Sequence, residues 1–235
     1  MRARSARLRP AKQLELPIRG RGGWRPGAGR PRSFNSGVPH RSRERLAPRF
    51  PVHVTLRVRR DIPHLRRSRT FAALREAFRK GSDRFGFRLT QFTVQSNHLH
   101  LLCEAKESAS LSRGMQGLTI RLAKRLNHQI GRAGRVFVDR YHSRILRTPR
   151  EVRAALVYVL NNSRKHVPPL WQHAEMWVDH FSSAPFFDGW QEPIPLAFLR
   201  KMGAPAVAAA GTWLLRTGWR RYGLIQFAEA PRAAS

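Results

Sequence analysis

Cysteine is nearly absent from this 235-residue chain, with Cys103 as the only one. That excludes a disulfide framework and any zinc site built from several thiolates, and it suits a reducing compartment. Acidic residues are scarce as well. There are 14 Asp and Glu against 45 Lys and Arg, a formal charge of +31, so most basic side chains cannot be neutralised within the chain. No apolar run approaches the roughly 20 residues that span a bilayer. No membrane segment is therefore expected. The basic first residues are not followed by an apolar stretch, so no secretory signal is expected either. The resulting expectation is a cytoplasmic, nucleoid-associated protein with a polyanionic partner.

What is present is charge in two blocks. Residues 1–49 carry a net +12, residues 50–166 a net +18, and residues 167–235 only +1. Arginine greatly outnumbers lysine, which favours forked contacts to phosphate. Three regions follow: a basic disordered arm (1–49), a central domain (50–166) and an aromatic, helical C-terminal extension (167–235). Within the arm, the stretch from Arg19 to Arg32 is too rich in Gly, Pro and Arg to form a packed element. Gly29-Arg30-Pro31-Arg32 is similar to the Gly-Arg-Pro core of minor-groove hooks, which makes Arg30 a DNA-contact candidate.

Ordered patterning begins near Pro51. Val52, Val54, Leu56 and Val58 alternate with His53, Thr55, Arg57 and Arg59, the period of a half-buried strand. An amphipathic helix is predicted over 69–84, with Phe71, Leu74, Ala77 and Phe78 on its apolar face. Strands follow at Phe85–Val94 and His98–Glu104. A long helix is predicted from Ser108 to Ile130, with Leu111, Met115, Leu118, Leu122 and Leu126 in register. Val136–Val138 and Tyr141–Leu146 supply a fourth strand with a bend at Asp139-Arg140. Thr148-Pro149-Arg150-Glu151 is a helix start, with Thr as N-cap, Pro at the first position and Glu at the third. That helix is expected to run to about Lys165. The order predicts an α+β fold: a ferredoxin-like split βαβ antiparallel sheet with helices on one face and an extra C-terminal helix. In the extension, helix is expected over 195–222. The aromatics Trp171, Trp177, Phe181, Phe186, Phe187 and Trp190 are expected to pack it onto the domain.

Two side chains can do chemistry together on the third strand. His98 and His100 are i and i+2, so a strand points both imidazoles to one side while Leu99 enters the core. Such a pair could hold a metal ion, provided further ligands come from elsewhere. On the helix after Thr148, Tyr158 and Asn162 are i and i+4 and would share one face. They offer a nucleophile and a neutral oxygen donor.

These residues resemble the single-tyrosine, His-hydrophobic-His transposases, and most of all their REP-associated branch. The resemblance rests on His53-Val54-Thr55-Leu56-Arg57, on Gln95-Ser96-Asn97-His98-Leu99-His100-Leu101-Leu102, on Gly134 to Ser143, and on Ala155 to Asn162. It covers about residues 50–166. It implies cleavage and rejoining of single-stranded DNA near hairpins through a 5′-phosphotyrosine on Tyr158. It further implies Mg²⁺ or Mn²⁺ on His98 and His100, with Asn162 as the further ligand. Many relatives carry Gln where Asn162 stands.

Other readings of the same residues are a non-catalytic DNA-binding descendant of the fold, or a rolling-circle initiator or relaxase. Tyr141 is the rival nucleophile, and His53 a candidate partner behind the metal ligands. Arg57, Arg121, Lys124, Arg125, Arg140 and Arg144 are the candidate DNA track. The chain could act as a homodimer or as a monomer.

Overall fold

The computed structural model describes residues 44–166 and 178–231. The Gly-Arg-Pro segment with Arg30, and Trp171 and Trp177, lie outside the described residues. The architecture is α+β. A five-stranded antiparallel sheet is built from β1 (Val52–Arg57), β2 (Asp83–Arg84), β3 (Phe87–Val94), β4 (His98–Ala105) and β5 (His142–Ile145). Its spatial order is β2-β3-β4-β1-β5. Without the two-residue β2, this is the interleaved order of a ferredoxin-like split βαβ.

Register decides what each face carries. Thr55 pairs with His100, His53 with Leu102 and Arg57 with His98 across β1 and β4. On the other side of β1, His53 pairs with Arg144 and Thr55 with His142. Directly paired residues point the same way, so one face collects the histidines. The opposite face collects Val52, Val54, Leu56, Leu99, Leu101 and Cys103, all buried. Against this apolar face pack α1 (Ser68–Gly81) and α2 (Ser108–Ile130), which share its core cluster. Gly114 brings α2 close to the sheet, for a Cβ there would lie 2.2 Å from the Phe87 ring.

Several of the sequence boundaries shift. The first helix stops at Gly81, because Asp83-Arg84 fold back on Phe87-Arg88 as a hairpin. Phe85 and Gly86 at its tip have φ of 57° and 71°, the left-handed pair of a tight two-residue turn. The fourth strand is two pieces: Phe137 bridges Val58, and the chain then bends before β5. α2 has the expected limits, closed by Gly131 at φ 67° with its N–H on the carbonyls of the last turn.

α3 (Pro149–Leu160) begins with the expected capping box, Thr148 and Glu151 bonding reciprocally. It ends five residues early. The Asn161 amide leaves the helix to donate to the carbonyls of Gln226 and Glu229, at 3.1 and 2.9 Å. A 3₁₀ turn, Asn162–His166, follows. Tyr158 and Asn162 therefore do not share a helix face. The expectation of helices on one face holds for α1 and α2 alone. α3 lies across the histidine face, where Leu102 and Leu146 join its apolar side in a second core.

That second core is completed by the C-terminal residues. Phe187, Trp190, Trp219 and Phe227 pack into it, while Phe181 stacks edge-on against Phe71, so aromatic packing is the use these side chains find. Helix over 195–222 is reduced to α4 (Leu196–Met202), α5 (Trp213–Arg216) and a 3₁₀ turn, Gly218–Tyr222. Gly203, with φ 67°, and Pro205 break it. Residues beyond them instead bond the sheet: Ala208 N–H donates to Leu89, and the buried Glu104 carboxylate accepts the Gly211 and Thr212 N–H groups at 2.7 Å. Among the described residues no helix is long and apolar enough to cross a membrane.

Candidate active site

Among the described residues, the two histidines and the tyrosine meet in the middle of the histidine face. His100 is buried and His98 half-buried beside it, with ring centroids 4.7 Å apart and planes nearly perpendicular. α3 lays Tyr158 over them. Its hydroxyl is 3.4 Å from His100 Nε2, and the two rings meet edge to face at 4.9 Å. One chain supplies both histidines and the tyrosine.

Two neighbours orient the imidazoles. Thr55, level with His100 on the adjacent strand, places Oγ1 3.2 Å from His100 Nδ1. Asn97, in the turn before β4, places Oδ1 2.8 Å from His98 Nδ1. An amide oxygen can only accept, so His98 Nδ1 carries a proton and its lone pair sits on Nε2. Burial raises the pKa of the Tyr158 phenol, so it stays protonated and has an O–H to offer His100 Nε2. When that O–H donates, Nδ1 of His100 is the protonated nitrogen and donates to Thr55, whose hydroxyl can donate or accept. In that arrangement both histidines present Nε2.

His53 completes the cluster. Its ring lies 5.3 Å from that of His100 and 5.7 Å from that of Tyr158. Burial, and secondarily the Arg144 charge, lower its pKa to about 4, so it is a neutral imidazole. Its Nε2 is buried without a hydrogen-bond partner among the described residues.

Two openings flank the cluster, and Thr55 lines both. One, about 550 Å³, is bordered by His98, Asn97, Arg57, Arg140 and His142. The other, about 790 Å³, holds His53, His100 and Tyr158 with Arg144 and Arg150 at its rim. Arg57, Arg140 and Arg144 therefore surround the histidines as the candidate track requires. Arg121, Lys124 and Arg125 do not, because α2 carries them on the other side of the sheet. Tyr141 is half-buried against the α1–α2 core and lines neither opening. Asn162 is buried at the start of the 3₁₀ turn, outside the linings of both.

A divalent cation fits this donor set in one respect and is constrained in another. Histidines that ligate metals characteristically hold their second nitrogen on a neighbouring oxygen, and both do so here. Yet no group of three or more His, Cys, Asp or Glu is placed to hold a metal among the described residues. The remaining donors must be neutral protein oxygens, water or substrate phosphate.

Sequence reasoning missed Thr55, Asn97, Arg150 and the residues beyond 167 that line the larger opening, Tyr222 and Glu229 among them. Thr55 had a signal, since it occupies the same strand face as His53. Asn97 lies inside the motif but reads as a turn residue.

Comparison with known proteins points to one family. Residues 48–162 match the family model described as transposase IS200 like. Among solved structures, a REP-associated tyrosine transposase bound to a REP hairpin is similar at 18% identity and TM-score 0.45, over 55% of this chain and 74% of that one. A protein of Deinococcus radiodurans R1, provisionally described as a transposase, is similar at 15% identity and TM-score 0.35, over 48% and 87%. No curated protein matches the chain.

Proposed function

Residues 48–162 belong to the IS200-like transposase family, and from that premise we propose that the protein cuts and rejoins single-stranded DNA beside a hairpin, with Tyr158 as nucleophile. The observation that carries this reading is the Tyr158 hydroxyl held 3.4 Å from His100 inside a cleft rimmed by arginine. The phenol oxygen bonds to phosphorus while the bond from phosphorus to the 3′ oxygen breaks. The products are a 5′-phosphotyrosine and a strand ending in 3′-OH, the phenol proton being lost and one gained at the leaving oxygen. The covalent link keeps the phosphodiester energy available for rejoining, which hydrolysis would discard.

A phenol whose pKa lies above the usual 10 attacks poorly at neutral pH without help. Arg57, Arg140 and Arg144 stabilise charge on the phosphate, and His53 adds no positive charge near the phenol. His98 and His100 would hold a divalent cation through Nε2, with water and substrate phosphate as the further ligands, because Asn162 lies outside both openings. When bound, the cation supplies Lewis-acid polarisation of the scissile phosphate. No carboxylate lines the two openings close enough to form a three-residue metal cluster among the described residues, so a DNA phosphate would supply the negative charge such a cation needs.

The test is covalent capture. With Mn²⁺ and labelled single-stranded hairpins carrying the native flanks of the gene, the wild type forms an adduct that survives denaturing electrophoresis. Tyr158→Phe abolishes it and Tyr141→Phe keeps it. No adduct with any native terminal hairpin, or an adduct that persists in Tyr158→Phe, refutes the reading.

A further inference from the structure

The cleft that holds Tyr158 is closed on one side by residues the family match does not cover. Tyr222, beyond residue 162, lines the same 790 Å³ opening as His100 and Tyr158. It is 55% exposed, a large share for an aromatic side chain. The other exposed aromatics have different surroundings. Phe85 is at a hairpin tip, and Trp213 is covered by the Arg221 guanidinium 4.8 Å from its ring.

The backbone around Tyr222 is fixed on both sides. Three residues earlier, Trp219 is fully buried and its indole N–H donates to the Leu215 carbonyl at 3.0 Å. Just after it, Gly223 turns the chain at φ 84°. Arg153 of α3 then donates to the Gly223 and Leu224 carbonyls at 3.0 and 2.9 Å. The same guanidinium is ion-paired with Glu229. An apolar ring is thus left in water on an anchored support, and neither core reclaims it.

The surface beside it is suited to a nucleic acid strand. Arg150, Ala154 and Tyr158 follow one another at i, i+4 and i+8 on α3 and line the cleft, and Arg150 and Ala154 are exposed. The two carboxylates there are both engaged, Glu151 with Arg144 and Glu229 with Arg153. Arg150 is not ion-paired among the described residues and supplies the surplus positive charge. Tyr222, in the same lining, supplies a π-face.

We propose that Tyr222 is a stacking platform for an unpaired base of the DNA strand entering the cleft, with Arg150 on the adjoining phosphate. The proposal rests on reading the cleft as the single-strand site. It adds a function for the C-terminal extension: a positioning contact that holds the strand over Tyr158. Stacking uses the face every base has, so it confers preference for single strands without sequence preference.

The test uses full-length protein in EDTA, which separates binding from cleavage. The probes are fluorescein-labelled dT12 and a strand of equal length whose central residues are abasic. Base–aromatic stacking implies that wild type binds dT12 about 5-fold or more tightly than the abasic strand. Tyr222→Ala loses that preference while its affinity for the abasic strand is unchanged. Tyr222→Phe and Tyr222→Trp keep the preference. Arg150→Gln weakens both strands alike and lowers the salt dependence.

Equal binding of the two strands by wild type overturns the platform, as does a full preference in Tyr222→Ala. A loss in Tyr222→Phe equal to that in Tyr222→Ala also overturns it, since the hydroxyl rather than the ring would then be at work. Adduct formation by Tyr158 is scored separately. The nucleophile assignment can therefore fail while stacking stands, and stacking can fail while the adduct forms.

Discussion

Replacing Thr55 by valine tests whether the two histidines are a prepared metal shelf. Valine keeps the shape and suits a central strand, so β1 and its pairing with β4 and β5 persist. What disappears is the oxygen 3.2 Å from His100 Nδ1. The protonated Nδ1 then loses its acceptor, and the tautomer that presents Nε2 loses its support. Partners of this type alter metal affinity by about 10- to 100-fold when removed, or roughly 1.4–2.7 kcal/mol. The stability cost of one such hydrogen bond is about 1 kcal/mol, too little to unfold the domain. The assay is Mn²⁺ titration followed by electron paramagnetic resonance, with a saturating single-stranded oligonucleotide and Tyr158→Phe as background to prevent turnover. Thr55→Val should raise the Mn²⁺ dissociation constant by the stated factor, and Thr55→Ser should restore it. Wild-type affinity in Thr55→Val, or an equal loss in Thr55→Ser, would refute the role given to the hydroxyl.

Two further outcomes follow from buried groups. His53 has a folded pKa near 4 against about 6.5 when unfolded, so the unfolded chain binds the extra proton first as pH falls. The metal-free wild type should therefore lose about 3 kcal/mol between pH 6.5 and pH 4 from this group. Urea denaturation should show a shallower loss in His53→Gln, and identical pH slopes would contradict the assignment. Arg66 forks onto the buried Asp179 carboxylate at 2.9 Å through both nitrogens, and Asp179 also accepts the Phe181 N–H. Asp179→Ala leaves these donors unmatched and should cost about 3–5 kcal/mol, measured by chemical denaturation. A loss below 1 kcal/mol would mean the pair contributes little to docking of the C-terminal residues.

The strand period of two is a local property of the chain. It alone placed His98 and His100 on one side of β4, and His53 and Thr55 on one side of β1. The limits of α2 were equally legible, because an apolar stripe and Gly131 mark them without outside help, and so was the capping box of α3. The sheet order followed from the alternation of elements, since a split βαβ leaves few ways to bury two helices. The end of α3 was not legible. Asn161 leaves the helix for carbonyls some 65 residues away, a bond that periodicity cannot anticipate.

By itself, then, the sequence determined that this protein pairs two imidazoles on a strand, carries a tyrosine on a capped helix and surrounds both with positive charge. Only the tertiary structure decided that α3 crosses the histidine face, which puts Tyr158 rather than Tyr141 against His100. It also decided that Arg121, Lys124 and Arg125 face away from that site, while Tyr222, from the far end of the chain, lines it. The physical reason is the same in each case. Periodicity sets which side of its own element a residue occupies. Burial of the second aromatic core sets which elements those sides meet.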